Sequence, residues 1–377
     1  MNIPRAISML PSIPLSILAS ILAGSLLLAH DAAAQSQFIP APGTDKPAAT
    51  PTPTQTPKPP EAKPEAKAKS KKPMDSKPGA PAPAASATPE AAPDDPNVDV
   101  VYGAFQVGKY KTTLNLALPR AQAGDAKAMT MLGELYSNGL GVRRDFAKAL
   151  DWYKRGSDAG DREAMFQLAM MRIAGRGAPA DRDAAVKLLA SAAKLGEPKA
   201  AYNLALLYLD GQTLPQDLKR AAELLRQAAD AGNPEAQYAL ATFYKEGTGV
   251  EKDMDKAVRL LQAAALADNV DAEVEYAIAL YNGTGTPKNE AAAVAMLRKA
   301  AKSNSAIAQN RLAHVLISGQ GAPMDKIDGF KWHLVAKTAG RGDPDLDAQL
   351  NDLSPEDRAK AEAAAKRWLG VKAAAVK

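Results

Sequence analysis

The sequence predicts an all-α solenoid of six 36-residue helix–turn–helix units, and three observations carry that reading. Gly124, Gly160, Gly196, Gly232, Asp268, Asn304 and Gly340 stand at strict intervals of 36. A second series, Gly139, Gly175, Gly211, Gly247, Gly283 and Gly319, keeps the same period. Self-similarity at a fixed spacing of 20–50 residues marks a stacked repeat array. Composition agrees, because aromatic residues make up only 5% of the 377-residue chain and alanine is abundant, as close helix packing favours. Ordered from the N-terminus, the chain reads as an export segment, a spacer, an N-terminal cap, six units and a C-terminal cap.

Residues 1–34 read as a secretory signal. Met1 to Arg5 is short and positive, Ala6 to Ala29 holds no charged residue, and Ala32-Ala33-Ala34 supplies the small-residue cleavage pattern. Cleavage there would start the mature chain at Gln35. The alternative is an uncleaved inner-membrane anchor facing the periplasm, since 24 uncharged residues are long enough to span a bilayer. The absence of cysteine rules out a lipoprotein anchor, structural disulfides, thiolate metal sites and cysteine nucleophiles together.

Residues 35–97 change character. Sixteen of these 63 residues are proline, and apart from Phe38, Ile39 and Met74 there is little to bury. Such a segment cannot recover its ordering entropy and is expected to be a disordered spacer biased towards polyproline II. Seven lysines between Lys58 and Lys77, against Glu61, Glu65 and Asp75, make it mildly basic. Over the whole chain 47 basic residues face 42 acidic ones. That balance is too even for a nucleic-acid protein, which concentrates its positive charge on one face.

Residues 98–123 are expected to form a lone capping helix, with Leu116 in the register position of Trp152 and Pro119 interrupting it. The six units then run from Gly124 to Ala339. The first marker series ends a helix in the left-handed conformation, for which Gly, Asn and Asp are the tolerant residues. The next residues, Asp125, Asp161, Glu197, Asn233, Asn269 and Ser305, include five good N-caps, and Pro198 and Pro234 follow at the first helical position. A second cap series, Asp145, Asp181, Asp217, Asp253, Asn289 and Asp325, opens the second helix of each unit. Helix A repeats Ala128, Ala164, Ala200, Ala236, Ala272 and Ala308 with a large residue four positions on; helix B repeats Trp152, Leu188, Leu224, Leu260, Met296 and Trp332 with a small one four positions on. Such faces interlock, and stacking removes them from water. Residues 340–377 supply the C-terminal cap: Ser354-Pro355-Glu356-Asp357 starts a helix expected to reach about Leu369 and to bury Trp368 on the last unit.

The run Ala128-x-x-x-Leu132-Gly133-x-x-Tyr136-x-x-Gly139-x-Gly141-Val142-x-x-Asp145-x-x-Lys148-Ala149-x-x-Trp152-Tyr153 resembles the Sel1-like repeat, a relative of the tetratricopeptide repeat. Residues 236–261 match nearly as well, and the resemblance spans about 216 of the 377 residues. Units two, five and six depart from it at the helix A tyrosine, where Arg172, Leu280 and Leu316 stand. The resemblance implies a right-handed α-solenoid used as a binding scaffold, often in exported or membrane-associated bacterial assemblies, with helix A lining the concave face. Cysteine-rich relatives have been linked to β-lactam chemistry, which does not carry over to a chain without cysteine.

Little in the sequence suggests catalysis, a cofactor or a metal. His314 and His333 are the only histidines after residue 34, and His333 aligns with the packing residues Tyr153, Leu189 and Leu225. The Gly-x-Gly pairs recur in register as loop punctuation. Asp271, Glu273 and Glu275 are expected on a solvated helix face.

The expected function is that of a monomeric, non-catalytic scaffold or adaptor holding a protein partner in the cell envelope. The candidate contacts, if the inner helix A positions face the groove, are Phe166, Met170, Tyr202, Leu206, Leu209, Tyr238, Lys245, Ile278 and Tyr281, rimmed by Lys199, Asp210, Glu235 and Glu246. The alternative reading, which the family's common aromatic at the Tyr202 position favours, makes the aromatic members wedges between adjacent helices. Two further readings are a regulatory subunit restraining a membrane sensor kinase or envelope-biogenesis system, and a peptidoglycan-binding or cell-wall-modifying protein.

Overall fold

A computed structural model describes residues 99–375, with side chains as far as Gly370. The expected signal (1–34) and spacer (35–97) lie outside the described residues. Within them the chain is all-α. An N-terminal pair, α1 (Val100–Gln106) and α2 (Tyr110–Gln122), precedes the six units. These are α3 (Ala126–Asn138) with α4 (Phe146–Asp158), α5 (Arg162–Ala174) with α6 (Arg182–Lys194), and α7 (Pro198–Asp210) with α8 (Leu218–Asp230). They continue as α9 (Pro234–Glu246) with α10 (Met254–Leu266), α11 (Val270–Asn282) with α12 (Glu290–Lys302), and α13 (Ala306–Ser318) with α14 (Lys326–Thr338). Helices α15 (Pro344–Asn351) and α16 (Pro355–Ala375) follow. Each helix of the array packs on its predecessor and successor, giving a right-handed solenoid of paired helices.

Both turns of the unit are built by the residues the sequence repeats. At the end of helix B the amide of the left-handed residue and the next amide close a Schellman pair: Gly160 N donates to Ser157 O at 3.0 Å and Asp161 N to Gly156 O at 3.0 Å. The pair recurs up to Gly340 and Arg341, and includes the two non-glycine residues, Asp268 (φ 62°) and Asn304 (φ 68°). The residue that completes the Schellman bond then caps the following helix A. Asp161 does so through Glu163 N, Asn233 through Ala236 N, and Glu197, the weakest candidate by residue type, through Lys199 N. One residue with two roles makes the turn between units as short as it is.

The loop inside each unit is clamped in the same way. The N-cap of helix B donates its own amide back to helix A: Asp145 N to Tyr136 O at 2.9 Å, and equivalently through Asp325 N to Leu316 O at 2.9 Å. Its carboxylate meanwhile accepts from the first turn of helix B, as Asp145 does from Lys148 N at 3.0 Å. The second glycine of the loop lets units approach. A Cβ at Gly249 would stand 2.3 Å from Leu218 O, in the first turn of the preceding unit's helix B.

The deepest row of helix B is Tyr153, Leu189, Leu225, Leu261, Leu297 and His333, none more than 4% exposed. The neighbouring Trp152 row is only partly buried in units one, two, four and five. Both termini differ from expectation. The lone N-terminal helix is a pair, because Gly108 (φ 74°) turns the chain between α1 and α2. Pro119 lies within α2 rather than ending it, and Leu116 is exposed. A proline in the last turn removes one amide bond without stopping the helix that precedes it. At the other end α15 is an additional helix, N-capped by Asp343 and anchored by the buried Leu346 and Leu350. Trp368 of α16 meets Trp332 edge-on, with ring centres 5.0 Å apart.

Candidate interaction surface

Helix A has one face that is open to water, at least in part, in every unit. It carries the positions of Lys127, Met131 and Glu134 in unit one, spaced by four and three residues as on one side of a helix. The equivalents are Glu163, Gln167 and Met170; Lys199, Asn203 and Leu206; Glu235, Ala239 and Thr242; Asp271, Glu275 and Ile278; and Ile307, Arg311 and His314. Lys127, Lys199, Glu235 and Asp271 are exposed, whereas Leu206, Ala239 and Thr242 are buried.

Of the nine candidate contacts, Met170, Lys245 and Ile278 are partly exposed. Phe166 (8%), Tyr202 (8%), Leu206 (4%), Leu209 (9%), Tyr238 (6%) and Tyr281 (8%) are largely withdrawn from water. They form a floor beneath the polar row. Lys199 Nζ lies 5.8 Å from the centre of the Phe166 ring, and the Tyr281 hydroxyl donates to Gln320 Oε1 at 3.2 Å. Burial, with the charges of Glu275, Asp271 and Glu246 adding to it, pushes the Tyr238 hydroxyl well above the usual phenol range.

The polar row is mostly paired across or along the helices. Lys199 reaches Glu163 of the preceding unit at 3.6 Å, and Lys245 of α9 meets Glu275 of α11 at 2.9 Å with both side chains largely covered. Gln167 donates to Glu163 at 2.8 Å, and Asn203 to Lys199 O at 2.8 Å. The acidic group of α11 is therefore not uniformly solvated. Asp271 is exposed, but Glu273 is 1% exposed and held by Lys299 at 2.8 Å. Crowding by the protein, reinforced by Glu275, raises the Asp271 carboxyl above its ordinary value.

Both histidines among the described residues are engaged by α15 and its N-cap. His314 Nε2 lies 2.8 Å from Asp343 Oδ2, and the fully buried His333 Nε2 lies 2.9 Å from Asp347 Oδ1. These partners stand 29 and 14 residues away in a helix that the repeat pattern does not contain. No cluster of three or more histidine, cysteine or acidic residues is placed to hold a metal among the described residues.

A family model described as the Sel1 repeat matches residues 126–161, 162–197, 198–233, 234–269, 270–305 and 306–340. Among solved structures, a Sel1 repeat protein from Oxalobacter formigenes is 26% identical, with a TM-score of 0.58. The match covers 64% of this chain and 100% of that one. A protective antigen of uropathogenic Escherichia coli with an SLR fold is 24% identical, with a TM-score of 0.49; 68% of this chain and 64% of that one are covered. No curated protein matches.

Proposed function

Because the chain belongs to the Sel1 repeat family, we propose that it is a non-catalytic, exported scaffold that holds a protein partner along its row of A helices. The observation that carries this reading is the row itself. Its first position (Lys127, Glu163, Lys199, Glu235, Asp271 and Ile307) is at least partly exposed in all six units, so side chains from successive units line one strip. The strip narrows in units three and four, where Leu206, Ala239 and Thr242 are buried. Met170 and Ile278 are the reachable members of the candidate set, Lys245 being largely covered and held by Glu275, with the aromatic floor stiffening the strip beneath them. Export rests on the Met1–Arg5, Ala6–Ala29 and Ala32–Ala34 pattern. Retention of that segment as an inner-membrane tether is the competing arrangement. Among the described residues no helix is long and apolar enough to cross a membrane.

The test is crosslinking capture from envelope fractions, comparing the native chain with Lys199→Glu/Glu235→Lys. Both positions are exposed and the exchange conserves net charge, so folding should be unchanged. A protein crosslinked by the native chain and lost by the variant supports the reading; identical capture by both refutes contact along this face. The N-terminal residue of the chain recovered from cells decides the tether. Gln35 indicates cleavage, and an intact N-terminal segment indicates retention.

A further inference from the structure

Among the charges of the A-helix row, Arg311 is the one with a buried donor that no acceptor meets. At its central position Gln167, Asn203 and Glu275 each have a partner, but Arg311 on α13 has none, and its Nε is buried without an acceptor. The buried Nε–H without an acceptor is a standing cost, and because the side chain as a whole is partly exposed, its other guanidinium donors are open to an acceptor from outside the chain.

Of the charged and titratable groups around Arg311, Glu275 and His314 are held by other residues and Asp271 is turned to solvent. On the neighbouring α11, Glu275 is held by Lys245 at 2.9 Å, and Asp271 is exposed further towards the start of that helix. On α13 itself His314, three residues on, is taken by Asp343 from the start of α15. Ile278 and Ile307, both partly exposed, are the row's apolar members in units five and six.

Resting on the scaffold reading above, we propose that Arg311 is the receptor for an aspartate or glutamate side chain of the bound protein segment, seated on α13 beside Ile278 and Ile307. A planar guanidinium presents paired donors that match both oxygens of one carboxylate, which a diffuse positive patch would not do. The acids on α11 restrict where that carboxylate can sit, since a second acidic residue displaced towards Asp271 would meet like charge. The partner is thus a segment with one acidic anchor flanked by aliphatic residues. Burial lowers the Arg311 pKa, with Glu275 opposing it, in keeping with a cation short of solvent and of close counter-ions.

The experiment selects peptides from a random decapeptide display library on the full-length chain and measures the affinity of the enriched sequences. The expected consensus has an acidic residue at one fixed position. Changing it to the amide should weaken binding about tenfold or more, as losing a charge-assisted bidentate pair does. Arg311→Gln should cost the same factor, and combining the two changes should cost no more than either alone. Arg311→Lys, which keeps the stem and the charge but not the planar fork, should also lose most of the preference, and it serves if Arg311→Gln does not fold. Peptides that bind without an acidic position, or whose acidic preference survives at Arg311→Gln, overturn the assignment while leaving the scaffold reading intact. A library that yields no binder at all also overturns the assignment, while the scaffold reading stands or falls on the envelope capture.

Discussion

Gly133 lies directly beneath the ring of Tyr153: a Cβ at 133 would stand 2.6 Å from two ring carbons. The equivalent pairs in the next four units are Ala169–Leu189, Ala205–Leu225, Ala241–Leu261 and Ala277–Leu297. The first unit thus uses the larger helix B residue and compensates with the smaller one on helix A. Gly133→Ala alone should destabilise by about 1–3 kcal/mol, the cost of overfilling a packed site. Adding Tyr153→Leu restores the combination used elsewhere and should recover most of that loss. A double-mutant cycle in urea checks the coupling, and strictly additive effects would show that the two residues do not share the space.

The left-handed positions give a second prediction. Asn304 holds φ 68° where the other units except the Asp268 one have glycine. Asn304→Gly removes the steric penalty of that conformation but loosens the unfolded chain, leaving a net gain of about 0.5 kcal/mol. Asp268→Gly should gain less, because Asp268 also accepts a hydrogen bond from Lys299. Equilibrium melts of the two variants side by side decide this; a larger gain at 268 than at 304 would contradict it.

Most of the fold is readable in the sequence because each cap, turn and packing residue acts within one 36-residue unit. The Schellman residues, the two N-cap series and the prolines at the first helical position are local devices, so a local pattern reports them. The ends are less legible for the same reason: α1 and α15 have no neighbouring copy that repeats their signals. The pairing of His314 with Asp343 depends on how α15 lies against α13, which no spacing within a unit encodes. Likewise an aromatic at the Tyr202 position looks the same in sequence whether it wedges helices or meets a partner. Only its 8% exposure distinguishes a floor from a contact edge.

The C-terminal cap should weaken in acid. Hydrogen bonds from Lys337, and then from His333, hold the Asp347 carboxyl below its ordinary value of 3.8. At Asp343, burial opposes but does not cancel the hydrogen bonds from His314 and from the first turn of α15. A carboxyl whose folded pKa is depressed contributes stability that is complete above its unfolded pKa and is lost as pH falls through the folded one. The contribution should therefore be intact at pH 5 and disappear progressively below about 4. Asp347→Asn should be less stable than the native chain at pH 5, and the difference should shrink towards pH 2. A difference that stays constant over that range would mean the ionised carboxylate is not what secures the cap.

The final prediction separates floor from contact on the A-helix strip. Tyr238 is 6% exposed, so Tyr238→Ala should cost about 3 kcal/mol or more, the transfer and cavity terms of an emptied aromatic site. Loss of partner binding in that variant would then reflect a collapsed strip as much as a lost contact. Ile278 is partly exposed, and Ile278→Ala removes atoms at the surface of the same strip, at a cost nearer 1 kcal/mol. If the strip binds a partner, Ile278→Ala should weaken capture while melting close to the native chain. Measuring melting and binding together on both variants makes the distinction. Tyr238→Ala melting like the native chain would show that its ring is not a wedge, whereas native binding by Ile278→Ala would remove this end of the strip from the contact.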